Sequence, residues 1–364
     1  MAIVHYWLTG MRGGEAVLDA LLDIYPDADL FTHVHDPAAV SSRISSRVVS
    51  CTFINRLPNA IRRYAWYLPL MPLALRLLDL SAYDLVISCE SGPAKGVRVK
   101  SGAVHVCYCH SPMRYIWDQG ESYLRTMNVF TAFAFQLARA YLRIWDRASA
   151  QKPDWVITNS RFVARRVKEY WGRDSATIFP PVDTARFSAS AESGDYYLYL
   201  GQLVAYKRPD LIVEAFNQSG RPLVVVGEGE LLPALRRAAR PNVKFMGRLS
   251  GEDARQMMAG CRALLYAGVE DFGIAPVEAM AAGRPVIAYA DGGLMETVVE
   301  GITGIFFRRQ DVAAINEAVV KFEARSADFD PQAIVAHAQR FCRQRFLEQM
   351  AAFMQEKLPA VGAG

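Results

Sequence analysis

Cysteine is scarce in this sequence: six in 364 residues, with no C-x-x-C. That argues against a disulfide framework and a C-x-x-C metal site, and it fits a reducing cytoplasm. Only Cys107 and Cys109 stand close, and alternate residues share one face of a strand, so core packing accounts for them. No uninterrupted apolar run is long enough to span a bilayer. The opening Met1-Ala-Ile-Val-His-Tyr-Trp7 lacks the basic stretch and long apolar core of a cleavable signal peptide. The expectation is a soluble protein, or one attached to a membrane only at its surface. The D-x-D at Asp27-Ala-Asp29 precedes a strand beginning at Leu30, which makes a poor metal site. The net charge of +4 is small and no nucleic-acid module is present, so nucleic acid is not expected as a partner.

What the chain does have is hydrophobic content, 52%, enough for large cores, and a length that suits about two domains. Its charge is uneven. Residues 1–180 hold 21 Lys and Arg against 15 Asp and Glu, whereas the remainder is slightly acidic. A basic first half invites an anionic partner, although solvated surface charge explains it equally well.

Ala2–Trp7 reads as a buried strand, followed by the loop Gly10-Met-Arg-Gly13-Gly14-Glu15 and a helix-period run from Ala16. Strand, glycine loop and helix bring backbone N–H groups close to a phosphate, although this loop does not fit G-x-G-x-x-G. The alternation continues through strands at 84–88, 103–107, 154–158 and 176–179, with a helix over Phe162–Tyr170, and predicts a doubly wound parallel sheet. His110-Ser-Pro-Met-Arg114-Tyr-Ile-Trp-Asp118 follows a strand end, where such sheets place ligands. A lone histidine there is more often structural. Arg62–Arg76 mixes arginines, aromatics and aliphatics, which suits a lipid headgroup layer or an ordinary core helix; its two prolines oppose one regular helix. Val129–Trp145 is expected to pack inward, with Arg139 and Arg143 forming a basic exposed edge.

Pro180-Pro181-Val-Asp183 and the polar stretch Ser188–Gly194 form the best boundary. Beyond it strands at 196–200, 223–226, 243–246, 263–266 and 286–289 alternate with helices at 210–217, 230–239 and 252–260. The division read here is 1–183, 184–340 and a C-terminal helical segment 341–364 that packs back on the first domain. Helix is expected throughout Ala333–Lys357. Glycine recurs where the strands of the second domain stop: Gly201, Gly227-Glu-Gly229, Gly247-Arg248-Leu249-Ser250 and Gly292-Gly293. Lys207 precedes a helix start, where a lysine can hold phosphate as a point charge. The stretch Glu270-Asp-Phe272-Gly273-Ile274-Ala-Pro-Val-Glu278 predicts a loop turning into a helix, with the amides of 272–275 facing out as an anion site. Taken alone, it fits a core helix carrying two glutamates equally well.

In combination these motifs resemble glycosyltransferase family 4, the retaining, metal-independent class of the GT-B fold. The resemblance rests on Glu270-x7-Glu278, on the G-x-L-V-x-x-K-R loop Gly201–Arg208, and on the Gly13-Gly14 turn. Segments His110–Asp118, Ser160–Arg166 and Tyr206-Lys-Arg-Pro209 are similar to bacterial O-antigen and exopolysaccharide mannosyltransferases. The resemblance implies an α/β architecture of two Rossmann-like doubly wound domains facing a central cleft. It implies that Glu278 accepts hydrogen bonds from ribose hydroxyls and that Glu270 lies beside the transferred sugar. Amides at Phe272, Gly273 and Ile274 would hold sugar hydroxyls, and Lys207 would neutralise the diphosphate. Arg208 and Gln202 would support that lysine, and Gly14 would approach the diphosphate from the first domain. His110 would approach the sugar, and Arg248 and Leu249 would contact the base through their backbone. Gly13, Arg62, Arg63 and Arg114 are the candidate acceptor contacts. Gln202 stands where the family usually has Arg; it can donate a hydrogen bond but adds no charge.

No cofactor or metal is expected: the nucleotide-sugar donor is a substrate, and lysine and amide groups carry the leaving-group charge. The reaction implied is transfer of a hexose, preferentially α-mannose from GDP-mannose, to a lipid-linked saccharide at the inner face of the plasma membrane. Alternatives are glucose, galactose, N-acetylglucosamine or rhamnose from other nucleotides, a nucleotide-sugar epimerase on the same fold, or a non-catalytic membrane scaffold.

Overall fold

The computed structural model describes residues 1–120, 124, 127–188 and 193–358, so positions 189–192 of the boundary stretch lie outside the described residues. The chain forms two compact units, one of residues 1–181 with 346–364, the other of residues 182–345. Each is built on a parallel sheet.

The first sheet has seven strands: β1 (Ala2–His5), β2 (Asp29–Thr32), β3 (Val48–Cys51), β4 (Leu85–Glu90), β5 (Val104–Cys109), β6 (Trp155–Thr158) and β7 (Ala176–Thr177). Their order is β3-β2-β1-β4-β5-β6-β7. All four residues of β1 are buried, as in strands covered on both faces by helices. β3 escapes sequence reading because it is an edge strand whose central residues are exposed, which erases the apolar run. The final helix, Arg343–Lys357, belongs to this unit from Phe346 onward: Phe346, Met350 and Met354 recur at helical spacing and join the core of Ile3, Leu18 and Tyr108.

The second sheet has six strands: β8 (Tyr197–Leu200), β9 (Leu223–Val226), β10 (Val243–Gly247), β11 (Leu264–Tyr266), β12 (Val286–Tyr289) and β13 (Gly304–Phe307). Their order is β10-β9-β8-β11-β12-β13. β13 and the helix Val312–Ala324 after it were not expected from the sequence. Gly304 disguises that strand, yet close packing requires it: a Cβ there would lie 2.1 Å from the Val286 carbonyl oxygen.

Two expectations need correction. Ala333–Lys357 is not one helix, because Val182 inserts its backbone at Phe341–Arg343. Its N–H donates to Phe341 O and its carbonyl accepts from Arg343 N, both at 3.0 Å, and the chain breaks between Pro331–Ala338 and Arg343–Lys357. The second correction reverses a face. On the helix Val129–Ser149, Phe130 and Ile144 are 89% and 74% exposed, whereas Arg139 is buried. Arg139 Nε and Arg143 Nε donate to the Ile116 carbonyl at 2.8 and 2.7 Å. Satisfying buried carbonyls turned the arginines inward and left the apolar side chains outside.

The same helix is fastened by charge. Asp146 and Glu90, at the end of β4, pair with Lys95, all three fully buried. The indole N–H groups of Trp117 and Trp171 donate to Asp146 Oδ2 at 2.8 and 2.7 Å, so both carboxylates are hydrogen-bonded as well as paired.

Candidate functional site

In the second unit the strand order reverses between β8 and β11: the chain runs outward to β9 and β10 on one side and to β12 and β13 on the other. Loops leaving the carboxyl ends of two such strands diverge and leave a crevice. The β8 loop is closed by a short 3-10 turn, Ala205–Lys207; Arg208 takes a left-handed φ of 52°, and Pro209 opens the next helix. The β11 loop carries Gly268, where a Cβ would lie 2.6 Å from Lys207 Cα. Backbone meets backbone there, which sets the height of the lysine.

Lys207 Nζ lies 2.8 Å from Glu270 Oε1 and 3.4 Å from the Tyr266 hydroxyl. The two charged side chains are only 12% and 15% exposed. Burial works against the ammonium, but Glu270 and the phenols of Tyr266, Tyr206 and Tyr199 together outweigh it, so the lysine pKa is raised. Burial pushes the Tyr266 phenol to about 12, with Lys207 pulling the other way. Lys207 is thus a fixed cation beneath the crevice.

The helix Ile274–Ala281 starts beside this pair, with Gly273 as its N-cap at φ 91°. Gly293 N donates to Glu270 O at 2.7 Å, tying the β12 loop to the acid. Among the described residues, the amides of Gly273 and Ile274 donate to no protein group. Phe272 is a core side chain whose ring packs on Phe341 at 5.6 Å, so that ring is not open to a ligand. One helical stretch further on, Glu278 is half-buried and makes no hydrogen bond or ion pair with a described residue. Burial raises its pKa, Asp183 adds to the rise and Arg255 opposes it. The two acids of the motif therefore differ: Glu270 is neutralised by a lysine, and Glu278 keeps its lone pairs for a donor.

Other expected residues stand apart from this pair. The Arg208 guanidinium is engaged by Asp210 at 3.0 Å and Gln310 at 3.4 Å. Gln202 is exposed, and its carbonyl accepts from the Tyr199 hydroxyl at 2.9 Å. Arg248, exposed, and Leu249, half-buried, follow β10, two strands from β8. Sequence reading missed Tyr266 and Gly268, although their position at the end of a buried strand was a usable signal.

In the first unit Gly13 and Gly14 open the helix Gly13–Ile24 after β1. A Cβ at Gly14 would lie 2.2 Å from the Tyr6 hydroxyl, so glycine is required by packing as well as by any ligand. Glu15 accepts from Arg12 N at 3.0 Å and lies 3.7 Å from His5 Nε2. His110 follows β5, its N–H bonded to Glu90 O at 2.8 Å. Burial, with His5 adding, lowers its pKa to about 3, and its Nε2 meets no partner among the described residues. It is a neutral imidazole with one ring nitrogen unused. Arg114 lies 3.5 Å from Asp118. Arg62 and Arg63 are exposed, Arg63 lying over the Trp66 ring at 5.0 Å.

Residues 13–186 match the family model described as Glycosyltransferase Family 4, and residues 183–336 match Glycosyl transferases group 1. The chain carries the two domains of a GT-B glycosyltransferase. The chain is 33% identical over 198 residues to the GDP-mannose-dependent alpha-(1-6)-phosphatidylinositol monomannoside mannosyltransferase of Mycolicibacterium smegmatis, covering 46% of this chain and 52% of that one. It is 32% identical over 147 residues to the glycogen synthase of Pseudomonas fluorescens, covering 37% and 28%. The match thus spans about half or less of the length of these curated relatives. The fold extends further: a HepE protein of Anabaena, solved in complex with UDP-glucose, superposes with a TM-score of 0.70 at 18% identity, covering 98% of this chain and all of that one.

Proposed function

We propose that the chain transfers a hexose with retention from a nucleotide sugar to a saccharide acceptor, and that the donor is GDP-mannose. The observation that carries this reading is the Lys207–Glu270 pair at the strand switch point, next to the open amides of Gly273 and Ile274. A nucleoside diphosphate sugar needs a cation for its leaving diphosphate, donors for its sugar hydroxyls and an acceptor for its ribose. Lys207, those amides and the unpaired Glu278 supply one each. Departure of the diphosphate builds negative charge beside Lys207, and the acceptor hydroxyl attacks from the same face, giving its proton to the departing phosphate. The lysine and the helix start carry the charge, so no divalent cation enters the reaction.

The choice of mannose is supported by the GDP-mannose-dependent relative. A UDP-hexose is the second reading, favoured by the Anabaena protein solved with UDP-glucose. The acceptor in this reading is a lipid-linked saccharide met at the membrane surface during cell-surface polysaccharide synthesis. The exposed Arg62, Arg63 and Trp66 of the first unit support contact with a headgroup layer. Among the described residues no helix is long and apolar enough to cross a membrane.

Titrating GDP-mannose, UDP-glucose and an ADP-sugar against melting temperature tests the donor, since a ligand at 100 times its Kd stabilises the folded state by about 2.7 kcal/mol. GDP-mannose is expected to give the largest rise. Transfer should then persist with EDTA present. Loss of transfer on chelation, or conversion of the donor without any acceptor, would overturn the reading in favour of a metal-dependent enzyme or an epimerase.

A further inference from the structure

At the edge of the first sheet opposite His110, where β4 and β5 begin, a cleft of about 430 Å³ opens between Arg76–Ser81 and Arg98–Lys100. Its charge is unbalanced. Among the described residues neither Arg76 nor Arg98 makes an ion pair. Lys152, outside the cleft lining, donates from its ammonium to Gly96 O at 2.9 Å; burial and then the like charges of Arg76 and Arg98 lower its pKa. One nearby acid is already paired, Asp84 with Lys100 at 2.7 Å; Asp79 lines the cleft and keeps its charge while accepting from Ser81 N at 3.0 Å. Arg76, Arg98 and Lys152 outnumber the one unpaired acid of the lining, Asp79, and a further anion would relieve their mutual repulsion.

The lip of the cleft is greasy. Leu77 lines it and is 68% exposed, and Leu70 and Leu73 continue the exposed line back along the helix Met71–Arg76 towards Trp66. Beneath that line Leu75, Leu78, Val99 and Trp145 share one apolar cluster. This puts the helix Val129–Ser149, with its outward Tyr141 and Ile144, beside the same surface. Cationic cleft and apolar rim side by side match the two ends of one kind of molecule. We propose that the cleft binds the phosphate of an anionic membrane lipid, whose acyl region lies along Leu70, Leu73 and Leu77. The inference rests on the membrane-surface part of the reading above and adds a discrete headgroup site, remote from the strand ends that hold His110.

The test is co-sedimentation of the full chain with vesicles of phosphatidylcholine alone and of phosphatidylcholine mixed with phosphatidylglycerol. Preference for the anionic vesicles is expected to fall roughly fivefold in Arg98→Gln and again in Lys152→Gln. Arg236→Gln, an exposed arginine of the second unit with the same charge change, should keep the full preference. If both cleft variants keep it as well, the site is overturned. Leu73→Ser with Leu77→Ser should weaken binding to both kinds of vesicle, and no change there would instead sink membrane contact itself. Free glycerol 3-phosphate raising the melting temperature while vesicles go unbound would replace the lipid with a soluble phosphate and refute the proposal. Circular dichroism of each variant, and unchanged transfer to a soluble saccharide, separate these outcomes from misfolding.

Discussion

Lys207 Nζ and Glu270 Oε1 meet at 2.8 Å although 63 residues separate them, because their loops leave the two neighbouring strands at which the sheet order reverses. A carboxylate holding the lysine keeps it in place and charged, and in the proposed reaction the donor's phosphate would compete for it. Lys207→Ala should lower kcat by roughly 100- to 1000-fold, the usual effect of removing a donor aimed at developing charge. Lys207→Arg should recover only part of this, since a planar guanidinium does not replace a compact ammonium. Steady-state kinetics with a fixed acceptor read both effects, and an Ala variant within a few-fold of wild type would remove Lys207 from the mechanism. The pair also has a pH signature. The folded lysine pKa is raised, so its stabilisation is complete below the unfolded value of about 10.4 and is lost only as pH climbs through the higher folded value.

Glu278 separates stability from binding. Its folded pKa lies above the unfolded one, so the folded chain holds that proton more tightly and loses stability as pH rises from about 4.3 through the folded value. At pH 7 the half-buried carboxylate, without a partner among the described residues, is therefore a liability. Glu278→Gln should melt at or above the wild-type temperature without nucleotide, yet lose most of the rise produced by the donor. An equal donor-induced rise in the two proteins would show that the ribose is held elsewhere.

Gly268 tests whether lysine position matters apart from lysine charge. A methyl group there would press on Lys207 Cα at 2.6 Å and Tyr206 O at 2.7 Å, both backbone atoms that move only with their loop. Gly268→Ala should cost about 1–3 kcal/mol of stability and lower kcat with every charged group intact. Gly251→Ala is the control, since a Cβ there meets only the end of the Arg255 side chain at 3.6 Å. Thermal melts and kinetics on the two variants decide the matter; equal behaviour would mean that the β8 loop adapts freely.

The alternating strands and helices were legible because parallel strands buried on both faces are written as short apolar runs, as in Leu223-Val-Val-Val226. The site loops were legible for a related reason: glycine recurs where backbones of neighbouring loops touch. Orientation was not legible. Arg139 and Arg143 read as a wet edge, yet the Ile116 and Trp117 carbonyls drew them inside, and no periodicity could foresee acceptors lying more than 20 residues earlier. Nor could spacing distinguish the two glutamates. Glu270 has its lysine through the strand order, a long-range fact, while Glu278 remains unpaired.

Acid should unfold the first unit well before it strips the ion pairs of the surface. His33, His105 and His110 are buried there, and burial holds their pKa values at about 4, 3 and 3. A depressed histidine contributes stability that is fully present above the unfolded pKa near 6.5 and is lost as pH falls towards the folded value, because only the unfolded chain takes up the proton. Around pH 5 the three together should remove roughly 4 kcal/mol per pH unit, each giving about 1.4. All six tryptophans fall between Trp7 and Trp171, so indole fluorescence reports this unit alone. Urea unfolding followed by fluorescence at a series of pH values from 7 downward yields the slope directly. His105 bonds to the Ser88 hydroxyl at 2.9 Å, so His105→Gln keeps a polar partner for it while removing the titration. That variant should lose about one proton's worth of slope between pH 6.5 and 4, and a slope equal to wild type would mean that His105 reaches solvent before the unit unfolds.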